Sequence, residues 1–286
     1  MKQEALKILF FGDVTGRQGR NALKSFLASS DLSNTFVIAN IENASHGFGL
    51  TKKNYLDLSA SGVNCFTSGN HIWDKKDIYE YIDEAENLIR PINYPIGTPG
   101  KGSQIFDLNG YRIAVINVLG RVFMPPIDSP WQTVIEEINK LKGLNVEHIF
   151  IDFHGEATAE KICFSKFLAN EFNDEDYALI KGFWGTHTHV QTADETIING
   201  MAYITDVGFC GASNSVIGME YSTSLKRLST SLPERYEIAE SLFAQINGVE
   251  VFIDKTKATQ IKIIKILVDN EEQDRKADLD SGGIKR

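Results

Sequence analysis

Short apolar runs with polar ends alternate with amphipathic stretches along the first third of the chain. The runs at residues 7–13, 35–42 and 64–68 are mostly hydrophobic until their last residues, which is typical of strands buried on both faces. Residues 16–30 carry apolar side chains at helical spacing, and Thr51 is a suitable N-cap for a helix that extends to about Ala60. Strands that alternate with helices predict a largely parallel, layered α/β sheet.

The remaining chain predicts two hairpins and further strand–helix units. Asn-Gly pairs at 109–110 and 199–200 each separate two apolar runs, which is a strong signal for a two-residue β-turn. The apolar runs at 242–247 and 260–268 predict antiparallel strands that either complete a second sheet or form an interface. The other predicted elements are helices at 75–85, 131–142 and 157–171, a strand at 148–153, and an apolar run at 177–183 that leads to Gly185.

Length and composition fit one globular domain with a polar end. The chain has 286 residues, and its hydrophobic content of 42% and charged content of 23% allow a sizeable buried core. Residues 1–268 contain no long linker and no repeat of fixed period, so they are interpreted as a single domain. Residues 269–286 are polar and charged, which predicts a flexible tail because such a segment buries too little apolar surface to order itself.

Charge, cysteine content and hydropathy limit the ligands and the cellular compartment that the sequence suggests. A net charge of −9 disfavours non-specific nucleic-acid binding, although a metal ion could supply local positive charge for a phosphate ligand. The three cysteines, Cys65, Cys163 and Cys210, are widely spaced, which predicts buried, inert thiols in a reducing cytoplasm and no disulfide framework. No apolar run approaches the roughly 18 residues that a membrane-spanning helix needs.

Five polar clusters fall at strand ends or in short loops. They are Asp13, Glu42 with Asn43, Asn70 with His71, His154, and His187 with His189. Each cluster alone has an ordinary explanation as a turn residue, a helix cap or a structural histidine. Ligands of parallel α/β sheets bind beyond the carboxyl ends of the strands, so the shared position of the clusters predicts one site.

The last of these clusters lies in the run Gly-Thr-His-Thr-His at 185–189. Alternate side chains of an extended segment point the same way, so His187 and His189 are expected to face one pocket, although two neighbouring surface histidines would look the same. Imidazole, carboxylate and amide oxygen donors suit iron, manganese, zinc or cobalt. One catalytic ion needs about three protein ligands, and the number of candidate donors is larger than that. The donors instead fit a pair of ions about 3.5–4 Å apart that share one carboxylate.

The order of these clusters resembles that of the calcineurin-like metallophosphoesterases, and of their bacterial YmdB-like branch in particular. The resemblance covers nearly the whole chain before the tail. Its stretches are FFGDVTGRQGR at 10–20, NIENASHGFGLT at 40–51, TSGNHIWDKK at 67–76, RPINYP at 90–95, DFHGEATAEK at 152–161 and ITDVGFCGASNSVIGME at 204–220. Thr15 stands where the wider superfamily has a histidine, and Glu42 stands where it has a bridging aspartate; both departures belong to the YmdB-like pattern.

The resemblance implies a fold and a ligand set. The fold is a four-layer α/β/β/α sandwich with a dinuclear metal site at the strand ends. One ion would be held by Asp13, Glu42, Asn43 and His189, and the other by Glu42, Asn70, His154 and His187. Glu42 would bridge the two ions, and His71 would be the acid near the leaving group. Iron is the metal that we expect at this site, and manganese and zinc are the alternatives.

The activity implied is hydrolysis of a small phosphodiester, a 2′,3′- or 3′,5′-cyclic nucleotide, by metal-activated water. Alternatives are a phosphomonoesterase or nuclease with the same site, or a nucleotide-sensing regulatory protein with little turnover. Family members self-associate, so a homo-oligomer is expected. The basic residues of the motifs either contact phosphate or lie in solvent; they are Arg17, Arg20, Lys52 and Lys161. Glu156 either orients a metal ligand or caps the helix that follows it.

Overall fold

The computed structural model describes residues 5–254 and 256–270. The strands in this part of the chain are β1 (Leu6–Phe11), β2 (Asp13–Val14), β3 (Thr35–Asn40), β4 (Cys65–Thr67), β5 (Ser103–Leu108), β6 (Tyr111–Leu119), β7 (His148–His154), β8 (Ile180–Thr186), β9 (Thr196–Ile198), β10 (Met201–Ile204), β11 (Phe209–Ala212), β12 (Phe243–Ile253) and β13 (Ala258–Asp269). The helices are α1 (Gly16–Ala28), α2 (Lys52–Ser59), α3 (Pro130–Gly143), α4 (Thr158–Glu171), α5 (Asp174–Tyr177) and α6 (Tyr221–Thr230).

The strands form two sheets. In the first, β1, β3 and β4 are parallel neighbours, β12 pairs antiparallel with β1, and β13 pairs with β12. The second has the order β5-β6-β7-β8-β10-β9, in which β6, β7, β8 and β10 are parallel. The antiparallel pair predicted near the C-terminus is therefore confirmed, but it extends the sheet of β1 and not the second sheet.

Neighbouring residues of one strand face different layers, which explains the continuous apolar runs. In β1, Leu9 and Phe11 pack in the cluster that includes the buried face of α1, whereas Phe10 packs between the two sheets. In β6, Val115 lies between the sheets and Ile116 packs with α3 and α4. Each sheet is thus covered by helices on its outer side, which confirms the predicted four-layer α/β/β/α sandwich.

The hairpins and one helix cap form as their sequences predict. Asn109 and Gly110 have φ values of +50° and +84°, and Asn199 and Gly200 have +49° and +91°, as a tight turn between antiparallel strands requires. Thr51 is the N-cap of α2, and its hydroxyl accepts the backbone N–H of Asn54 at 3.4 Å.

The helix predicted at 75–85 is wrong in type and length. Only Lys76–Glu80 is helical, and it is a 3₁₀ helix. Ile78, Tyr81 and Ile82 do reach the core at helical spacing, which is why the pattern favoured a helix. The backbone N–H of Ile78 bonds the carbonyl of Lys75 at 3.1 Å and that of Tyr81 bonds Ile78 at 3.2 Å, so the turns close over three residues.

Three elements and one cysteine also differ from expectation. The elements α5, α6 and β11 were not predicted, because α5 and β11 are four residues long and Ser224 is the only buried residue of α6. Cys65 and Cys210 are buried as expected, and burial raises the pKa of the Cys210 thiol to about 12. Cys163 is exposed on α4, so its predicted burial is wrong.

The predicted tail, residues 269–286, overlaps the last strand by one residue. Asp269 is the last residue of β13, and residues 271–286 lie outside the described part of the chain. Among the helices that are described, none combines the length and the hydrophobicity that crossing a membrane requires.

Candidate metal centre

The predicted donors converge at one edge of both sheets. Asp13 opens β2, just beyond β1, and Glu42 and Asn43 follow β3. From the second sheet, His154 ends β7, and His187 and His189 follow β8. Parallel strands present their carboxyl ends at the same edge, which explains how groups from distant parts of the chain meet here.

His154 is the most crowded donor. It is fully buried, and its Nε2 lies 2.9 Å from Glu42 Oε1, 3.2 Å from Asn70 Oδ1 and 3.1 Å from His187 Nδ1. One N–H cannot serve three acceptors, whereas a cation placed among them can contact all of them. Glu42, His154 and His187 offer ligand atoms that all lie within 4.8 Å of one another.

The other nitrogen of His154 is held by a buried hydroxyl and carboxylate. The Thr186 hydroxyl donates to Asp152 Oδ1 at 2.7 Å, so its oxygen is left to accept from His154 Nδ1 at 2.9 Å. This network assigns the ring proton to Nδ1 and turns the Nε2 lone pair toward the donor cluster. Asp152 Oδ2 also accepts from the Asn40 side chain at 3.0 Å.

His187 and His189 are oriented in the same way. His187 Nε2 lies 3.2 Å from Glu156 Oε2, so a proton on Nε2 leaves Nδ1 facing His154. His189 Nδ1 donates to the carbonyl of Ile217 at 2.8 Å, which turns its Nε2 toward Asn43 at 3.1 Å. Each ring thus has one nitrogen fixed by an acceptor outside the cluster and the other aimed into it.

The backbone that aims these two rings is not extended. The strand β8 ends at Thr186, and His187 and His189 have φ values of +99° and +61°. The expectation that strand alternation directs both side chains is therefore wrong, although both rings do reach the cluster. Positive φ is uncommon for a residue with a side chain, and it is found where surrounding contacts hold the strain.

A buried ion pair supplies those contacts. Lys161 Nζ donates to Asp206 Oδ2 at 2.7 Å and to the carbonyl of Thr186 at 2.8 Å. The same Asp206 oxygen accepts the N–H of Thr188 at 3.1 Å and its hydroxyl at 2.8 Å. The pair therefore fixes the residues on both sides of His187. Lys161, which is fully buried, neither lies in solvent nor is placed to contact phosphate, so both expectations for it are wrong.

Asp13 and Asn43 carry polar atoms that suit a cation. Asp13 Oδ1 and Asn43 Oδ1 are buried and have no hydrogen-bond partner. Asp13 Oδ1 lies 3.7 Å from His189 Nε2, and Asn43 Nδ2 lies 3.4 Å from Glu42 Oε1. Ligand atoms about 2.0–2.2 Å from one ion lie about 3.0–3.5 Å from each other, so Asp13 Oδ1 and His189 Nε2 lie slightly farther apart than two ligands of one ion. The amide nitrogen of Asn43 is not a metal ligand, and its unpartnered Oδ1 is the atom that would coordinate.

The electrostatics also favour positive charge at this position. Burial alone would lower the pKa of His154, but the Glu42 carboxylate raises it to about 9. Burial and the charge on His154 lower the pKa of His187 to about 3. Burial would raise the pKa of Asp13, yet its contact with His189 holds it below the ordinary value. The buried carboxylates thus stabilise a positive charge that a proton or a metal ion can supply.

His71 stands beside the cluster at the mouth of a cavity. Its backbone N–H donates to Glu42 Oε2 at 3.0 Å, and its Nδ1 lies 2.9 Å from Asp74 Oδ2. The cavity has a volume of about 320 Å³ and is lined by His71, His187 and His189 among others. A larger cavity of about 830 Å³ contains none of the predicted donors and lies against α2 and β5.

The remaining charged residues of the motifs lie in different surroundings. Arg17 is half exposed and lies 3.5 Å from Glu240, and Arg20 donates to the carbonyl of Ala44. Lys52 lines the larger cavity. Glu156 contacts His187, whereas Ala157 is the N-cap of α4, so the geometry favours the ligand-orienting alternative for Glu156.

Sequence reasoning did not find the supporting residues Asn40, Asp152, Thr186 and Asp206. Asp152 did carry a signal, since it is a carboxylate inside an otherwise apolar run and two residues before His154. Burial raises its pKa to about 6. Asp206 follows the apolar run at 201–205 and lies in the family stretch at 204–220, but its contacts with Lys161 and Thr188 form only in the folded chain.

Replacing Thr186 with valine is expected to weaken metal binding by about 10–100-fold, as is usual when an outer hydrogen-bond partner of a ligand is lost. The variant keeps the side-chain volume but removes the hydroxyl between Asp152 and His154. The check is metal titration of chelator-treated protein. Thr186→Ser retains the hydroxyl and should bind nearly as the original protein does; equal weakening in both variants would contradict the role of the hydroxyl.

The chain is similar to several known proteins over nearly its whole length. The profile of a family described as YmdB-like protein matches residues 9–266. The 2′,3′-cyclic-nucleotide 2′-phosphodiesterase of Bacillus subtilis (strain 168) is 43% identical over 269 residues, which cover 93% of this chain and 98% of that protein. The crystal structure of a novel phosphatase from Mycoplasma pneumoniae has a TM-score of 0.83 at 34% identity and covers 96% of this chain and 98% of its own.

A more distant structure shows how widely the fold is shared. A calcineurin-like phosphoesterase from Bacillus subtilis superimposes with a TM-score of 0.55 at 11% identity, over 97% of this chain and 96% of that one. The two-sheet architecture is therefore that of the metallophosphoesterases. Within that class, the chain belongs to the YmdB-like protein family.

Proposed function

We propose that this chain is a metal-dependent phosphodiesterase that hydrolyses small phosphodiesters, with 2′,3′-cyclic nucleotides as its substrate class. The observation that carries the proposal is the crowding of three acceptor atoms around His154 Nε2, beside unpartnered oxygens of Asp13 and Asn43. The substrate class rests on the name and the 43% identity of the Bacillus subtilis relative. A 3′,5′-cyclic nucleotide is the alternative diester.

The donor set divides into two groups that share Glu42. Asp13 Oδ1 and Asn43 Nδ2 lie 3.7 and 3.1 Å from His189 Nε2, whereas Asn70 Oδ1 and His187 Nδ1 lie 3.2 and 3.1 Å from His154 Nε2. We assign one metal ion to each group, with Glu42 as the bridging carboxylate. Iron is the expected metal, with manganese or zinc as alternatives, because imidazole, carboxylate and amide oxygen donors suit these ions. When bound, the ions would activate the attacking water and offset charge on the phosphoryl oxygens.

His71 is assigned the role of general acid. Asp74 accepts from its Nδ1, so it is the Nε2 proton of the doubly protonated imidazolium that can pass to the substrate, which leaves a neutral ring with its proton on Nδ1. The backbone of His71 is tied to Glu42, so the acid is fixed relative to the bridging carboxylate. As water adds to phosphorus and the ester P–O bond breaks, the departing alkoxide would take the proton from Nε2.

The decisive assay is hydrolysis of bis-p-nitrophenyl phosphate and of 2′,3′-cyclic AMP by protein loaded with Mn²⁺ or Fe²⁺. We expect turnover of both substrates, loss of activity after chelation, and about two ions per chain by elemental analysis. Absence of turnover in the metal-loaded protein, together with tight nucleotide binding, would replace the enzyme with a nucleotide sensor. Faster hydrolysis of phosphomonoesters would move the activity to that class.

The His71→Ala variant is expected to retain both metal ions and to lose at least about 10²-fold in kcat/KM for a cyclic nucleotide. The loss should be smaller for bis-p-nitrophenyl phosphate, since p-nitrophenolate is a weak base that departs without a proton. Elemental analysis and kinetics on both substrates provide the check. His46→Asn, at an exposed histidine with φ of +58°, is the matched control and should leave both rates unchanged. A fall in metal content would make His71 a ligand.

A further inference from the structure

The cavity at the metal centre has two chemically different sides. One side consists of the metal donors and His71. Another part of the lining is apolar and is formed by Phe48, Val216, Ile217, Met219, Leu228 and Tyr236. We call these six residues the apolar wall. The polar part suits a phosphate, and the apolar wall is the part of the cavity left for the group that the phosphate carries.

Backbone strain at Ile217 indicates that this wall has a function. Ile217 has φ of +50°, which a β-branched side chain rarely adopts. It occupies a two-residue turn that is closed by reciprocal backbone bonds of 2.8 and 2.9 Å between Val216 and Met219. The turn directs the Ile217 carbonyl to His189 and leaves its side chain half exposed in the cavity. Strain of this kind persists mainly at functional sites.

Two aromatic side chains of the wall are held in place by contacts outside it. The Phe48 ring packs edge-on against His71, with 4.9 Å between ring centroids. The Arg227 guanidinium lies 4.8 Å from the Tyr236 ring centroid, and Arg227 also donates to the carbonyl of Glu234 at 3.0 Å. These contacts order the aromatic rings before a ligand arrives, which reduces the entropy that binding would cost.

We propose that the apolar wall binds the nucleobase of the substrate, with Phe48 and Tyr236 stacking on it. This inference rests on the proposed phosphodiesterase function. In a 2′,3′-cyclic nucleotide the base is attached to C1′, the carbon next to C2′, so the base lies close to the ester oxygens. Phe48 is correspondingly next to His71, the group that would protonate a leaving ester oxygen. Stacking accepts any base, because every base has a π face.

The cavity volume is consistent with one nucleotide. About 320 Å³ is close to the lower end of the range of about 300–1,000 Å³ that small-molecule pockets occupy. The enzyme therefore recognises the base of its substrate as well as the phosphate. Cyclic phosphodiesters that lack a base are poor substrates.

The test compares 2′,3′-cyclic AMP with glycerol 1,2-cyclic phosphate in the metal-loaded enzyme. The original protein should prefer the nucleotide, mainly through a lower KM. Phe48→Leu keeps an apolar contact with His71 but removes the stacking face, and it should raise KM for the nucleotide about 10-fold with kcat within about twofold. Tyr236→Leu should act in the same direction. Phe123→Leu, at a residue that is 86% exposed and outside the cavity, should keep the original substrate preference.

Three results would overturn the inference. The first is equal kcat/KM for both substrates in the original protein. The second is an equal loss on both substrates in Phe48→Leu, which would mean that Phe48 acts only by packing on His71. The third is no change in nucleotide KM for either leucine variant.

Failure of the proposed function would be recognised separately. If the metal-loaded protein hydrolyses neither substrate, the binding of adenosine 3′-monophosphate and of ribose 5-phosphate is measured by calorimetry. The comparison still tests whether the apolar wall binds a base. Tighter binding of the adenosine compound, weakened by Tyr236→Leu, would support base recognition without turnover. Equal binding of the two compounds would overturn it.

Discussion

Replacing Glu42 with alanine is expected to remove both metal ions and to lower kcat/KM by about 10⁴-fold or more, the combined loss of water activation and of charge stabilisation. Glu42 is fully buried, and its Oε1 lies 2.9 Å from His154 Nε2 and 3.4 Å from Asn43 Nδ2, so it touches both donor groups. Its Oε2 accepts the backbone N–H of His71 at 3.0 Å, so the substitution also removes the hydrogen bond that fixes the backbone of His71. Elemental analysis and steady-state kinetics provide the measurement.

Two further variants separate charge from structure at this position. Glu42→Gln keeps the shape and the hydrogen-bonding oxygen but removes the negative charge, so it should still lose most of the metal. Glu195→Ala removes an exposed carboxylate elsewhere and should retain about two ions and full activity. A Glu42→Ala protein that still bound two ions would disprove the bridging role.

Replacing Gly69 with alanine is expected to disrupt the centre although it removes no ligand. An added Cβ would lie 2.3 Å from Glu42 Oε2 and 2.4 Å from His154 Nε2, well inside contact distance. Both side chains are fully buried and cannot move aside freely. Metal affinity should fall at least about 100-fold and kcat/KM about 10³-fold, comparable with losing a group that stabilises charge in the transition state.

The matched control is Gly143→Ala at the end of α3. No atom lies within 4 Å of a Cβ at Gly143, and its φ is not positive, so the substitution should leave metal binding and activity unchanged. Circular dichroism and thermal unfolding of both variants would show that the Gly69 variant folds. A Gly69→Ala protein with normal metal content would mean that Glu42 and His154 are not held together in solution as the structure has them.

The order of apolar runs was enough to predict a largely parallel, layered sheet, whereas the four-layer sandwich of two sheets was implied by the family resemblance. In β1 and β6 the runs are continuous because alternate residues serve two different cores, and that pattern is visible in one dimension. The 3₁₀ segment Lys76–Glu80 was misread as a longer helix, since Ile78, Tyr81 and Ile82 have the spacing of either. The helix α6 escaped prediction because it buries almost nothing.

The sequence by itself determined which residues are candidate donors and that they lie at strand ends, because residue type and chain order are local properties. The tertiary structure decided how they are oriented. Strand alternation does not direct His187 and His189; a buried Lys161–Asp206 pair holds the positive φ of their loop. Contacts between residues far apart in sequence form only in the folded chain: Asp152 meets Asn40 across the two sheets, and Lys161 of α4 meets Asp206 beyond the end of β10.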